Sequence, residues 1–357
     1  MKSSVSHRAQ GFSLIDILVG LTIGVLGMLV MMQVFLNADA SMRSTSGSGD
    51  AQTNGSGALM TLQRELRQAG FGINALPQAG CHLQLRTGVK LTVLAPLTIN
   101  HSAIPVGDTG SDTLLLVAGS AGGSPHGDVI VMQPATNVYA VGTPTSFLPG
   151  DLIFVEPQVR PTPCDLQMEA VVTITSTPPN LTVATGVAGS TNGTLINLGS
   201  APRILAYAVR RSMLTVCDYL LADCADSTLV NDESVWLPLY SGIVALRAQY
   251  GSDTTPVPMD GQLDVWDQIT PGSAADLRGF SLHCSVMRVL AARLAVVARN
   301  EQFDKNVVTS AAPLWAGSAT APFDLRARSD WDHYRYRVFQ TQVALRNVVV
   351  LGAQSGC

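Results

Sequence analysis

Residues 12–36, FSLIDILVGLTIGVLGMLVMMQVFL, contain a single ionisable side chain, that of Asp16. As a helix these 25 residues extend about 37 Å at about 1.5 Å per residue, more than the roughly 30 Å hydrocarbon core of a bilayer. Lys2 and Arg8 precede the segment, which favours a cytoplasmic N-terminus and an external remainder. A carboxylate at the bilayer centre costs about 2.5–3.5 kcal/mol on insertion scales, and such groups usually have a function. The stretch therefore predicts a membrane-spanning helix whose aspartate has a partner.

Two other interpretations of the N-terminus stay open. Ala38-Asp39-Ala40 resembles a signal-peptidase site, and cleavage after Ala40 would release a secreted β-rich binding protein or hydrolase. The apolar core of a signal peptide usually spans about 7–15 residues, which this segment exceeds. The second alternative is a plain, uncleaved anchor in which Asp16 has no role.

The residues around this carboxylate, GFSLIDILVG at 11–20, resemble the class III signal of type IV prepilins and pseudopilins. The resemblance implies that residues 1–11 are a leader, that prepilin peptidase cleaves between Gly11 and Phe12, and that Phe12 is then N-methylated. Asp16 occupies the position of the family's carboxylate, where Glu is usual, and Ser13 stands where Thr is usual. The aspartate arm is one methylene shorter.

Cleavage after Gly11 would create an α-amine at Phe12, whose ordinary pKa of about 7.7–8 keeps it mostly protonated. In a bundle of helices, Asp16 of one subunit can neutralise the amine of its neighbour and recover part of the insertion cost. Gly20 and Gly24 form a G-x-x-x-G pattern that permits close helix approach. We therefore expect these residues to act in subunit assembly.

The whole chain predicts an α+β protein, with an N-terminal transmembrane helix followed by a large β-rich globular domain, and the resemblance implies that the helix is a pilin helix. Ser and Gly dominate residues 37–57, which predicts a flexible linker, and apolar residues at helical spacing predict an amphipathic helix over 58–70. Short apolar runs between turn residues predict β-rich regions at 71–200 and 201–357. Residues 286–300 fit either a strand or a helix, and 334–350 read as one long strand.

Four segments resemble the PilW family of minor pilins. They are LQRELRQAGFG at 62–72, ALRAQYGSDT at 245–254, RVLAARLAVVARN at 288–300 and YRYRVFQTQVALRN at 334–347. The resemblance implies a non-catalytic minor pilin that helps to initiate a type IV pilus and cap its tip, with other minor and major pilins as partners. It also implies an inner-membrane anchor with the globular domain in the periplasm. A type II secretion pseudopilin shares the N-terminal features and is the alternative of the same class.

The six cysteines favour disulfides in an oxidising compartment, because their number is even and none forms a C-x-x-C pair. Cys217 and Cys224 are seven positions apart and form the pair that we expect most, since it closes a short local loop. Order along the chain suggests Cys81 with Cys164 and Cys284 with Cys357.

Motifs of catalysis are missing from the sequence: it has no G-x-S-x-G, no H-E-x-x-H and no dinucleotide fingerprint. We expect no cofactor, and a net charge of −4 without a basic block gives no support to nucleic-acid binding.

The acidic segment with Asp253, Asp260, Asp264 and Asp267 is a weak calcium candidate that departs from the EF-hand register. The four tryptophans lie in the C-terminal third, where we expect them to pack in the core.

Overall fold

A computed structural model describes residues 13–120, 126–354 and 356–357. Gly11 and Phe12, the predicted cleavage and methylation positions, lie outside the described residues. The chain divides into two compact units, Met1–Asp50 and Ala51–Cys357. The first unit is helical where it is described, and the second contains all the strands of the described chain. The fold is therefore an N-terminal apolar helix plus a large β-rich domain, as predicted.

The described residues form three α-helices and seventeen strands. The helices are α1 (Leu14–Gln68), α2 (Leu282–Met287) and α3 (Arg346–Val349). The strands are β1 (His82–Arg86), β2 (Val89–Leu91), β3 (Leu97–Ile99), β4 (Leu114–Ala118), β5 (Asp128–Ala135), β6 (Val138–Val141), β7 (Leu152–Glu156), β8 (Asp165–Ser176), β9 (Pro179–Val183), β10 (Thr194–Gly199), β11 (Arg203–Arg210), β12 (Met213–Asp218), β13 (Leu237–Ser241), β14 (Ile243–Ser252), β15 (Val265–Asp267), β16 (Val289–Arg299) and β17 (Tyr336–Ala344).

Helix α1 runs without a break through residues 37–57, so the expected flexible linker is wrong. The small residues have a packing role instead. A Cβ on Gly55 would lie 2.2 Å from the ring of Phe339, and one on Gly57 would lie 2.6 Å from the ring of Tyr240. Glycine costs a helix about 1 kcal/mol, but here it lets the backbone approach the sheets closely. Tertiary packing has overridden local propensity.

Asn347 holds the C-terminal end of α1. Its side-chain amide donates hydrogen bonds to the carbonyls of Gln68 and Ala69, each at 3.0 Å, and so satisfies groups that a helix end leaves unpaired. Gly70 follows with φ +85°, as in an αL helix cap. The predicted strand over 334–350 is correspondingly too long. Strand β17 ends at Ala344, and the chain turns into α3, which places Asn347 against the helix end.

The strands form three sheets among the described residues. Strands β8-β7-β10-β5-β6-β9 close into a six-stranded barrel through an additional β8–β9 pairing, and β1 and β2 extend it beside β8. The second sheet has the order β13-β12-β11-β4-β3, and the third has the order β15-β14-β16-β17. The segment with ambiguous periodicity is strand β16, which pairs with both β14 and β17.

The main core lies between the second half of α1 and the second and third sheets. Leu62 and Leu66 of α1 are fully buried there with Leu205, Leu246 and Leu294. Further apolar clusters fill the interior of the barrel, the other face of the second sheet, and the outer face of the third sheet. Helix α1 is thus part of the core of the globular unit from Ala51 onward.

Candidate assembly site

The apolar half of α1 is a candidate membrane span. Leu14–Leu36 comprises 23 residues with a mean hydropathy of 2.4, and none of its most apolar window is buried against the rest of the protein. Exposed Leu, Ile, Val and Met side chains in such number are stable in water only when something covers them. By length and composition this segment can cross a membrane.

Asp16 lies in the first turn of α1, where its carboxylate caps the helix. Its Oδ2 accepts the backbone N–H of Ser13 at 3.3 Å, and the Ser13 hydroxyl accepts the N–H of Ile15 at 3.4 Å. These reciprocal contacts are long and resemble a capping box. The negative charge of Asp16 also lies near the positive end of the helix dipole, which is a favourable interaction. The sequence signal for this contact is S-x-x-D at 13–16.

Gly20 and Gly24 lie on the same apolar helix. A Cβ on either would meet no atom within 4 Å, so no described neighbour explains these glycines. The side chains around them are exposed as well. The helix surface here is open to a partner helix, as a G-x-x-x-G pattern requires.

Glu65 joins α1 to the second sheet through a partly buried ion pair. Its side chain is 4% exposed, and its Oε2 lies 2.7 Å from Nε of Arg203 at the start of β11. Arg64 approaches the other carboxylate oxygen at 3.4 Å. Burial raises the pKa of the nearby Tyr207 hydroxyl, and the Glu65 charge adds to this shift. No local sequence pattern predicts this pair, because Glu65 and Arg203 lie far apart in the chain.

All six cysteines form disulfides, in the three pairs that the sequence suggested. Cys81–Cys164, Cys217–Cys224 and Cys284–Cys357 are bonded, with sequence separations of 83, 7 and 73 residues. The first ties the region after α1 to the barrel, and the last ties the chain terminus to α2. A chain stabilised in this way is suited to an oxidising compartment.

The four acidic residues proposed as calcium candidates do not converge. Each of Asp253, Asp260, Asp264 and Asp267 accepts a backbone N–H from its own segment. Asp253 is fully buried and lies 3.3 Å from Nη1 of Arg288. Among the described residues, no three His, Cys, Asp or Glu side chains form a group that could hold a metal. These carboxylates shape turns and neutralise an arginine.

Arg288 in turn holds the C-terminus. Its guanidinium donates to the carbonyls of Thr255 and Cys357 and stacks over the ring of Phe280, with 3.7 Å from its central carbon to the ring centroid. Burial lowers the pKa of Arg288, and the Asp253 charge opposes that shift. The C-terminal residue is therefore fixed both covalently and electrostatically.

The tryptophans divide into two groups. Trp236 and Trp315 are buried as expected, whereas Trp266 and Trp331 are half-buried. Core packing therefore accounts for two of the four.

A known protein family matches part of the chain. Residues 207–347 match the family model described as "Type IV Pilus-assembly protein W", PilW. The match runs from β11 into α3, and it confirms the resemblance to PilW over these residues. It supports a role in type IV pilus assembly. The match leaves out α1 and the barrel.

The other comparisons add little to this. A search of curated proteins found no match. A type IV-like pilin, TTHA1219 from Thermus thermophilus, is a structural neighbour with 14% sequence identity. The alignment covers 56% of this chain and 87% of that chain with a TM-score of 0.19, too low to support an argument about the fold.

Proposed function

We propose that this protein is a minor pilin that takes part in the initiation and tip complex of a type IV pilus. The observation that carries the proposal is the PilW match over 207–347 in a chain whose N-terminal apolar segment, Leu14–Leu36, has a single carboxylate. Its work is association and not catalysis. The helix supplies affinity through burial, and the folded domain selects its neighbours.

The chain would be made as a prepilin. Prepilin peptidase would cleave between Gly11 and Phe12, and Phe12 would be N-methylated. Helix 12–36 would hold the product in the inner membrane with the N-terminus in the cytoplasm and the β-rich domain in the periplasm. The three disulfides agree with that oxidising compartment.

Asp16 would change partners during assembly. In the isolated subunit its carboxylate accepts the Ser13 N–H at 3.3 Å, a long and exposed contact. In the bundle it would pair with the protonated amine at Phe12 of a neighbouring pilin, a stronger, charge-assisted interaction. Open surface at Gly20 and Gly24 would allow the neighbouring helix to approach. Partners are therefore other minor and major pilins, and no nucleic acid is expected.

Two alternative functions predict different properties of the protein. A type II secretion pseudopilin would share the processing and the Asp16 contact, but its loss would impair secretion and leave pili intact. A secreted β-rich protein cleaved after Ala40 would lack the helix altogether in its mature form.

The test is complementation of a deletion strain, with surface pili counted by electron microscopy. The wild-type chain should restore piliation, and Asp16→Ala should insert in the membrane but restore far fewer pili. Asp50→Ala is the matched control, because it removes a carboxylate from the same helix outside the apolar segment. Full piliation by Asp16→Ala would refute the pairing role, and unchanged piliation in the deletion strain would refute the pilus role.

A further inference from the structure

The outer face of the third sheet, opposite the face that packs on α1, carries a polar cleft of about 260 Å³. Strands β16 and β17 form its floor, and the segment around Trp315 forms one wall. Arg293 of β16 stands directly across from Gln249 of β14 on one side and from Gln342 of β17 on the other. A row of polar side chains thus crosses three strands.

A hydrogen bond from Nε and contacts with two indole rings hold the Arg293 side chain in place. Its Nε donates to Oε1 of Gln249, a fully buried side chain whose own amide donates to Thr320. Its guanidinium carbon lies 5.0 Å from the ring centroid of Trp266 and 5.6 Å from that of Trp315. Cation–π contacts of this kind fix the plane of the guanidinium.

The terminal amino groups of the Arg293 guanidinium have no hydrogen-bond partner among the described residues. Within the described part of the chain, its two terminal amino groups make no hydrogen bond, and no carboxylate forms an ion pair with it. Among the described residues that line the cleft there is no Asp or Glu, although the protein as a whole has a net charge of −4. The Arg293 side chain is partly buried, and this burial lowers its pKa. A guanidinium that is fixed at Nε, with terminal amino groups that no described residue binds, favours an anionic ligand with two parallel oxygens.

The other lining groups favour a ligand that carries hydroxyl groups as well. The side-chain oxygen of Gln340 accepts the N–H of Ala316 at 2.9 Å, and no described residue forms a hydrogen bond with the amide nitrogen of Gln340 or with the amide group of Gln342. Hydroxyls need donors and acceptors together, and the small exposed part of Trp315, 6% of the residue, gives the cleft an apolar edge for C–H groups. The cleft is slightly below the roughly 300 Å³ at which ligand pockets usually begin, so it suits a single sugar ring.

We propose that this cleft binds the carboxylate of an acidic sugar, a uronic acid residue of a glycan. Arg293 clamps the carboxylate through its terminal amino groups, Gln340 and Gln342 bind ring hydroxyls, and Trp315 lies against the ring. This binding is separate from assembly through the helix, and it does not depend on the proposed function.

The test is titration of the full chain in detergent with glucuronate, followed by tryptophan fluorescence and calorimetry. Glucuronate should bind saturably, and glucose, which lacks the carboxylate, should not. Gln342→Glu puts a competing carboxylate opposite Arg293 at an exposed position, and we expect it to weaken binding by about tenfold or more. Gln262→Glu is the matched control at an exposed position outside the cleft, and it should leave binding unchanged.

A second variant, Arg293→Lys, keeps the charge and loses the planar fork, so it should also weaken glucuronate binding. The proposal is overturned if glucuronate does not saturate, if glucose binds equally well, or if both variants bind as the wild type does. N-acetylalanine tests the carboxylate of a peptide terminus. Equal or tighter binding of that probe would contradict the assignment to a sugar.

Discussion

Gly55 of α1 lies so close to Phe339 of β17 that a Cβ atom on the glycine would be 2.2 Å from the ring. This is less than any normal contact, so a larger side chain must push the helix away from the sheet. The contact explains why a helix that packs on a sheet contains glycine and serine at residues where good helix formers are expected.

Replacing Gly55 should therefore destabilise the domain. We expect Gly55→Leu to lower the free energy of unfolding by about 1–3 kcal/mol, the usual cost of overpacking. Urea denaturation followed by circular dichroism measures it. Gly49→Leu is the control, because a Cβ at Gly49 meets nothing within 4 Å. Equal stability of the two variants would show that the helix does not pack as described.

The ion pair between Glu65 and Arg203 should contribute more than an exposed pair does. Arg203→Ala leaves a carboxylate that is 4% exposed without its main partner. Loss of one partner from a fully buried pair costs about 3–5 kcal/mol, and we expect about 2 kcal/mol here because Arg203 is half-exposed and Arg64 remains near. Arg211→Ala, which breaks an exposed pair with Glu233, should cost at most about 1 kcal/mol. If the order of the two costs were reversed, Glu65 would not be held as the structure shows.

The length of the loop that each disulfide closes should set the order in which the disulfides contribute to stability. In the chain-entropy account, Cys81–Cys164, separated by 83 residues, stabilises by about 4–5 kcal/mol, and Cys217–Cys224, separated by 7, by about 2–3 kcal/mol. Paired Cys→Ala variants, compared by chemical denaturation, test this order. A larger loss for the Cys217 and Cys224 pair would mean that native packing around each bridge, and not loop entropy, dominates.

His101 should make stability depend on pH. Its Nδ1 accepts the Ala103 N–H at 3.1 Å, and its Nε2 lies 2.9 Å from the Thr92 hydroxyl, which suits a neutral ring. Burial lowers the pKa of His101 below its ordinary value of 6.5. The unfolded chain then binds a proton before the folded one does, so stability falls as the pH drops below about 6.5.

The measurement is the free energy of unfolding at several pH values between neutrality and about pH 5. His101→Gln should flatten the part of the slope that this ring contributes. A variant whose slope equals that of the wild type would show that His101 titrates alike in both states.

The sequence predicts features that depend on local pattern. The long apolar run predicts the helix, alternating short runs predict a β-rich domain, and an even cysteine count without a C-x-x-C pair predicts the bridges. Residues such as Glu65 and Arg203 are partners across more than a hundred positions, and nothing local signals their contact. The closed barrel likewise depends on the pairing of β8 with β9, which a strand pattern does not specify.

Composition was misleading at residues 37–57. Serine and glycine are typical of linkers, but at Gly55 and Gly57 the aromatic rings that require their small size come from β17 and β13. Asp16 shows the reverse case. Here a local pattern is enough: the S-x-x-D sequence at 13–16 predicts the contact between Asp16 and the backbone N–H of Ser13.

The most direct test of the proposed pilin identity is the mass of the mature N-terminal peptide from protein purified out of its native membrane. The account predicts a chain that begins with N-methylated Phe12. A chain that begins with Met1 would contradict it in favour of a plain anchor, and a chain that begins with Ser41 would contradict it in favour of a secreted protein.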